Sequence, residues 1–279
     1  MTSPRNQYFE HDGIRLHYLV WGERRADRPS LFLLHGLSSN ARFWERTARQ
    51  LEGWHIVALD QRSHGLSDRP QEGNQNSTFV ADAHAVARRL ELEQPVVAGH
   101  SWGATIALEY AAAHVAETGA LSVMDGPVWV NNIKWEDVKD FVQPPFPIHP
   151  TPADAHRAQE LYVPGAWGDD LRDFVDAGLV KEEGGYRSTL TVPVRREILQ
   201  AMFGADTATL WQHAAALPIA VLLARQAPPG FLEMKERGAQ ELHEHLPDAR
   251  IEWFDTPHDI PLYQPAAVAA ELRELAGRV

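Results

Sequence analysis

The sequence predicts an α/β domain, a mostly parallel central sheet with helices on both faces, interrupted late in the chain by an inserted helical cap. Three observations carry that expectation. Short runs apolar throughout recur at "LFLLHG", "HIVALD", "PVVAGH", "GALSVMD" and "PIAVLLA", and strands apolar on both faces belong inside a parallel sheet covered by helices. Stretches with helical spacing separate several of them, giving the alternation that right-handed crossover units require. The rhythm then stops between Gly126 and about Trp211, where Trp129, Trp135, Trp167 and the proline-dense "QPPFPIHPTP" stand.

The elements follow in order. "YFE", the turn "HDG" and "RLHYLVWG" read as an opening antiparallel hairpin. "ARFWERTARQLEG" and "STFVADAHAVARRLELE" read as the first two helices, the second opening on a Ser77-Thr78 cap region. An alanine-rich helix follows Ser101, and "GALSVMD" leads into the interruption. Proline at the density found there is excluded from a sheet interior, while short pieces such as "LRDFVDAGLV" and "VRREILQAMF" are amphipathic, which predicts a mostly helical cap. The sheet resumes with "PIAVLLA", the helix "GFLEMKERGAQELHEHL", the strand "ARIEWFD" and the helix "QPAAVAAELRELAG". Residues 1–126 and 213–279 thus form the core, and 127–212 form the cap, inserted between the sixth and seventh strands.

Composition narrows the class of function. With 44% hydrophobic and 23% charged residues, the chain is neither disordered nor fibrous. A formal charge of −12, without a long lysine or arginine cluster, argues against nucleic acid and against acidic membrane surfaces as partners. No signal-like apolar run opens the chain and no stretch approaches membrane-spanning length, so a cytoplasmic enzyme acting on a small molecule is expected. The absence of cysteine excludes disulfides, thiolate metal sites and a cysteine nucleophile. The sequence is compatible with a homo-oligomer. It offers no H-E-x-x-H or comparable ligand set, and neither a metal nor another cofactor is expected.

The chemistry centres on "GHSWG", residues 99 to 103, placed between a strand and a helix. Two glycines there allow close packing, and they equally suit a serine nucleophile, Ser101, held out on a tight turn. A nucleophile needs a base, an acid and backbone donors. Position filters the 14 histidines, since a parallel sheet carries its site beyond the carboxyl ends of its strands. His35, His100 and His258 satisfy that test, and His258, in the loop after the last strand, is the best base.

These segments together resemble the α/β-hydrolase superfamily. "LLHGLSSNARFW" is similar to its oxyanion segment, "DQRSHGLSD" to the loop after the next strand, "GHSWG" to its nucleophile elbow and "TPHDIPLYQP" to its histidine loop. The resemblance implies that Ser101 attacks a carbonyl carbon, that His258 moves the proton, and that the backbone N–H groups of Leu37 and Trp102 hold the oxyanion, with both side chains free to shape a pocket floor. His35 is expected to brace this loop and is kept as a substrate-side candidate. The acid departs from the commonest pattern. The loop "LLARQAPPGFLEMKE", where most members carry an aspartate, has none, and its first carboxylate is Glu233. Asp125 ends the strand before the cap, where some members place their acid, and is the acid expected here. Glu233 and Asp255 are the substitutes, while Asp259 is badly placed to reach the ring of its neighbour His258. Ser63 and Pro257 stand where relatives usually have glycine.

Serine at the elbow, in place of aspartate, implies acyl transfer to water: a carboxylic ester or lactone hydrolase working through an acyl-enzyme. Another acyl bond (carbamate, amide, thioester or carbon–carbon) is the alternative, as is a ligand-binding receptor on the same fold. Trp129, Trp135 and Phe146 are candidates to line an apolar pocket under the cap. Arg225, at a strand end, is read as an internal ion pair or a partner for a substrate carboxylate.

Overall fold

The structure is a computed structural model and describes residues 3–128, 136 and 147–279. Strands β1 (Arg5–His11) and β2 (Ile14–Trp21) form the opening hairpin. Its two turn residues, Asp12 and Gly13, both have positive φ, as a tight hairpin whose twist matches its strands demands. Strands β3 (Leu31–Leu34), β4 (Ile56–Asp60), β5 (Val96–His100), β6 (Ala120–Met124), β9 (Ile219–Ala224) and β10 (Arg250–Phe254) complete an eight-stranded sheet. Its order is β1-β2-β4-β3-β5-β6-β9-β10, with β2 antiparallel to both neighbours and the other pairs parallel.

Side chains alternate across a strand, so one sheet supports two cores. Phe32, Leu34, Val57, Leu59, Val97, Leu121 and Val123 face one way. They meet helices α2 (Asn76–Arg89) and α3 (Trp102–Ala113). Leu31, Leu33, Ile56, Ala58, Val96, Ala98 and Met124 face the other way. A 3-10 turn (Ala41–Trp44) running into helix α1 (Glu45–Arg49), and the last helix of the chain, close that side. Helix α2 starts one residue ahead of Ser77: Gln75 occupies the cap position without a side-chain bond, so Ser77 and Thr78 lie in the first turn and do not cap it.

Between β6 and β9 the described chain forms α4 (Pro152–Tyr162), α5 (Arg172–Ala177), α6 (Val192–Phe203) and α7 (Thr207–Ala214). Thr151 and Asp154 cap α4 reciprocally, and Pro152 sits where its missing N–H costs nothing. The segment also holds a separate antiparallel hairpin, β7 (Leu179–Glu182) with β8 (Gly185–Ser188), which the reading of a mostly helical segment missed. Its signal was the Gly184-Gly185 pair, both at positive φ. Trp211 is fully buried in the apolar cluster that α3 and β6 also feed. Helices α8 (Pro229–His245), α9 (Ile260–Tyr263) and α10 (Pro265–Ala276) complete the core. No described helix is long and apolar enough to cross a membrane.

Candidate active site

The parallel register brings the carboxyl ends of neighbouring strands level. Leu34 pairs with Gly99, His100 with Met124, and Met124 with Leu222. The residues that leave β3, β5 and β6 next, His35, Ser101 and Asp125, therefore share one edge of the sheet.

Ser101 occupies a strained turn with φ 56° and ψ −124°, a conformation that L-residues adopt only when the surroundings over-determine it. Its N–H continues the ladder by donating to Met124 O at 2.8 Å, and α3 begins at the next residue. The flanking glycines are steric necessities: a Cβ on Gly99 would lie 2.2 Å from Gly103 O, and one on Gly103 would lie 2.3 Å from His35 O. Strand β5, the elbow and the segment after β3 are thus in tight contact.

Asp125 also has a positive φ, 47°, and its side chain is fully buried. Ala224 N–H donates to its Oδ1 at 2.9 Å, and His258 Nδ1–H donates to its Oδ2 at 2.5 Å. Burial alone would raise the Asp125 pKa, but the His258 hydrogen bond and charge, with Lys235, hold it at about 2. The His258 imidazole is half-exposed. Burial draws its pKa down, and the bond and charge of Asp125, joined by the charge of Asp259, outweigh that and leave it raised. With Nδ1 committed to Asp125, Nε2 is the nitrogen left for proton transfer. Glu233 is exposed, one turn into α8.

The segment after β3 is held from below. His35 is fully buried; its Nδ1–H donates to Gly36 O at 2.8 Å and its Nε2 accepts from Gln61 N–H at 3.1 Å. Both nitrogens are taken up by backbone groups, so His35 braces the loop. Ser39 N–H closes a turn on Gly36 O at 3.2 Å, with Leu37 inside it. A Cβ on Gly36 would stand 3.2 Å from Ser101 Cβ, which places this turn against the elbow. As the first residue of α3, Trp102 has an N–H with no carbonyl behind it in the helix. Its indole is 1% exposed, edge-on to Phe79 and stacked on His64, so it packs the core and does not form a pocket floor. His64 is fully buried, and burial with His35 nearby holds its pKa at about 3. Ser63 has φ 66°, a backbone conformation that favours glycine, and its Oγ donates to Asn74 Oδ1 at 2.8 Å.

Asp259 points toward the site: its side chain is largely buried, its Oδ1 is 3.6 Å from His100 Nε2, and its carboxylate, His100 and His258 have nitrogen and oxygen atoms within 4.8 Å of one another. The His258 ring itself bonds Asp125, and the backbone turns tightly at Asp259, where Ile260 N–H donates to His258 O at 3.0 Å. Arg225 is exposed, its guanidinium 5.0 Å from the Trp253 ring centre, and so makes a cation–π contact on the outer surface. Trp129, Trp135 and Phe146 lie outside the described residues.

One neighbour of Asp125 escaped the sequence altogether. Lys235, on α8, puts its ammonium 2.7 Å from Asp125 Oδ1, donates to Oδ2 at 2.8 Å and donates to Ala224 O at 3.1 Å. It lay in plain view in "FLEMKE", yet nothing about its spacing marked it as a neighbour of Asp125.

Two described clusters could be asked to hold a metal. His100, His258 and Asp259 form one, but His100 Nε2–H donates to His258 O at 3.0 Å and has no lone pair to give. His84, His114 and Glu117 form the other, and there the two rings stack within 7° of parallel at 3.8 Å. Lone pairs in parallel planes do not converge on one tetrahedral ion.

Comparison with known proteins identifies the family. The sequence profile of the Alpha/beta hydrolase family matches residues 31–271, and the chain belongs to that family. Lipase LipV of Mycobacterium tuberculosis is 27% identical over 95% of this chain and 98% of its own. The 2-(acetamidomethylene)succinate hydrolase of Mesorhizobium japonicum is 29% identical over 62% of this chain and 68% of its own. Epoxide hydrolase 3 of Xenopus tropicalis is 34% identical over 41% of this chain, which spans 32% of that protein. Among solved structures, an E-2-(acetamidomethylene)succinate hydrolase superposes with a TM-score of 0.85 over 98% of both chains at 17% identity, a likeness of fold.

Proposed function

We propose that this chain is a serine hydrolase that cleaves a carboxylic ester or lactone through an acyl-enzyme. The observation that carries the reading is Ser101 on its strained strand-to-helix turn, at the same sheet edge where His258 Nδ1 is bonded to buried Asp125.

Ser101 Oγ attacks the carbonyl carbon while His258 Nε2 takes its proton. Asp125 holds the ring in the tautomer with hydrogen on Nδ1 and stabilises the imidazolium. The carbonyl oxygen becomes an oxyanion between the N–H groups of Leu37 and Trp102, each worth ~3 to 4 kcal/mol by analogy with such donors elsewhere. Collapse breaks the bond to the alkoxide, which takes the proton from His258. Water, deprotonated by the same nitrogen, then releases the acid and restores Ser101. The described part of the insertion, residues 147–212, is read as a cap for this edge.

The near full-length likeness to a lipase supports the ester, and an alkoxide leaving group asks only His258 for a proton. A panel of chromogenic esters, lactones, amides, carbamates and thioesters, assayed with wild type and Ser101→Ala, tests the reading. Turnover of esters or lactones that vanishes in a folded Ser101→Ala supports it. Turnover that survives in Ser101→Ala overturns the serine mechanism, and preference for another acyl bond overturns the substrate class.

A further inference from the structure

Lys235 and His258 share one acceptor. Both donate to Asp125 Oδ2, the imidazole at 2.5 Å and the ammonium at 2.8 Å. The Lys235 side chain is largely buried, at 12% exposure, and its third contact is Ala224 O, the last residue of β9. The Asp125 carboxylate thus accepts from the end of one strand, from α8 and from the loop before α9.

The charges around His258 explain what such a cation does. Asp125 faces the ring from the end of β6, Asp259 from the start of α9, Lys235 from α8, and His100 from the end of β5. Burial holds His100 at about 3, so it is neutral near pH 7. Two carboxylates acting alone would favour the imidazolium strongly, and a base that is already protonated accepts no proton. An ammonium on the very oxygen that binds Nδ1–H weakens that pull.

We propose that Lys235 is a positioning residue that fixes the Asp125 carboxylate and weakens the hold of the two carboxylates on the His258 proton. Its position offsets the second carboxylate, Asp259, whose side chain turns into the same site. Lys235 touches no reacting atom and acts through Asp125. The catalytic consequence rests on the serine hydrolase reading, whereas the effect on the His258 titration does not.

The test compares Lys235→Met, Lys235→Gln and Lys235→Arg with wild type, each checked for folding by circular dichroism. His258 is titrated by NMR of its ring, and kcat/KM is followed against pH on the best ester of the panel. Removing the cation is expected to raise the His258 midpoint and the acid limb of kcat/KM by about one unit, a tenfold loss on the acid side of the limb. Lys235→Arg is expected to keep the wild-type midpoint. Lys235→Gln, which retains a donor and loses the charge, gives the same upward shift if Lys235→Met fails to fold. An unmoved His258 midpoint in a folded, uncharged variant overturns the proposal, since a purely structural bridge would change stability alone. Activity that survives Ser101→Ala overturns the hydrolytic reading instead and leaves the NMR result standing by itself.

Discussion

His258 Nδ1 lies 2.5 Å from Asp125 Oδ2, joining a loop after the last strand to the tip of a strand 133 residues earlier. The bond fixes which ring nitrogen is free, and it binds the two ends of the site to each other. Its removal should therefore separate the candidate acids cleanly.

Asp125→Asn is expected to lower kcat on the order of 10⁴-fold, because an amide reverses the tautomer that the ring must hold. Glu233→Gln, an exposed change on α8, is expected to leave kcat within twofold of wild type, an order-of-magnitude allowance for surface changes. Steady-state kinetics of both variants on one ester decides the matter; full activity in Asp125→Asn removes it as the acid.

Activity should follow the protonation of His258. Its pKa stands above the ordinary 6.5 in the folded chain, with burial outweighed by Asp125 and Asp259. kcat/KM is expected to rise with pH through a midpoint above 6.5, since only the neutral ring accepts the Ser101 proton. A midpoint well below that value contradicts the assignment.

Stability should carry the other partner's signature. Asp125 falls from 3.8 to about 2 on folding, so its contribution is fully present above about 4 and is lost as pH falls through about 2. The difference amounts to roughly 2 kcal/mol. Seen from His258, whose pKa rises on folding, the same bond is strongest below 6.5 and fades as pH climbs through the folded value. Urea unfolding between pH 2 and 5 should show a steeper acid loss in wild type than in Asp125→Asn.

The elbow leaves no room for a methyl group. Gly103→Ala is expected to cost about 1 to 3 kcal/mol, because the added carbon would meet His35 O and Leu34 O, which are backbone and yield little. A fall of several degrees in Tm, with lower kcat, is the outcome to look for. An unchanged melting curve would show that strand and helix can part there.

Ser63 offers a milder comparison. Its φ of 66° favours glycine, while its hydroxyl bonds Asn74. Ser63→Ala keeps the strain and loses the bond, whereas Ser63→Gly loses the bond and relieves the strain. The glycine variant is expected to be more stable than the alanine variant by about 1 kcal/mol, read from paired denaturation midpoints.

The sequence by itself determined the sheet and the edge that matters. Continuous apolar runs such as "LFLL" and "PVVA" became buried strands because a parallel sheet covered on both faces offers no solvated side. Ser101 and His258 could be singled out because each follows a strand, and strand ends are legible from periodicity, whereas Asp125 was reached through the family resemblance. The hairpin Leu179–Ser188 hid in a segment read as helical, since short partly buried strands have little pattern. Only the tertiary structure brought Lys235 to Asp125, turned Asp259 toward His100 and laid Arg225 on Trp253. Such contacts depend on where a helix lands on the sheet and how a long side chain bends, and these are set by packing between elements that no local spacing encodes.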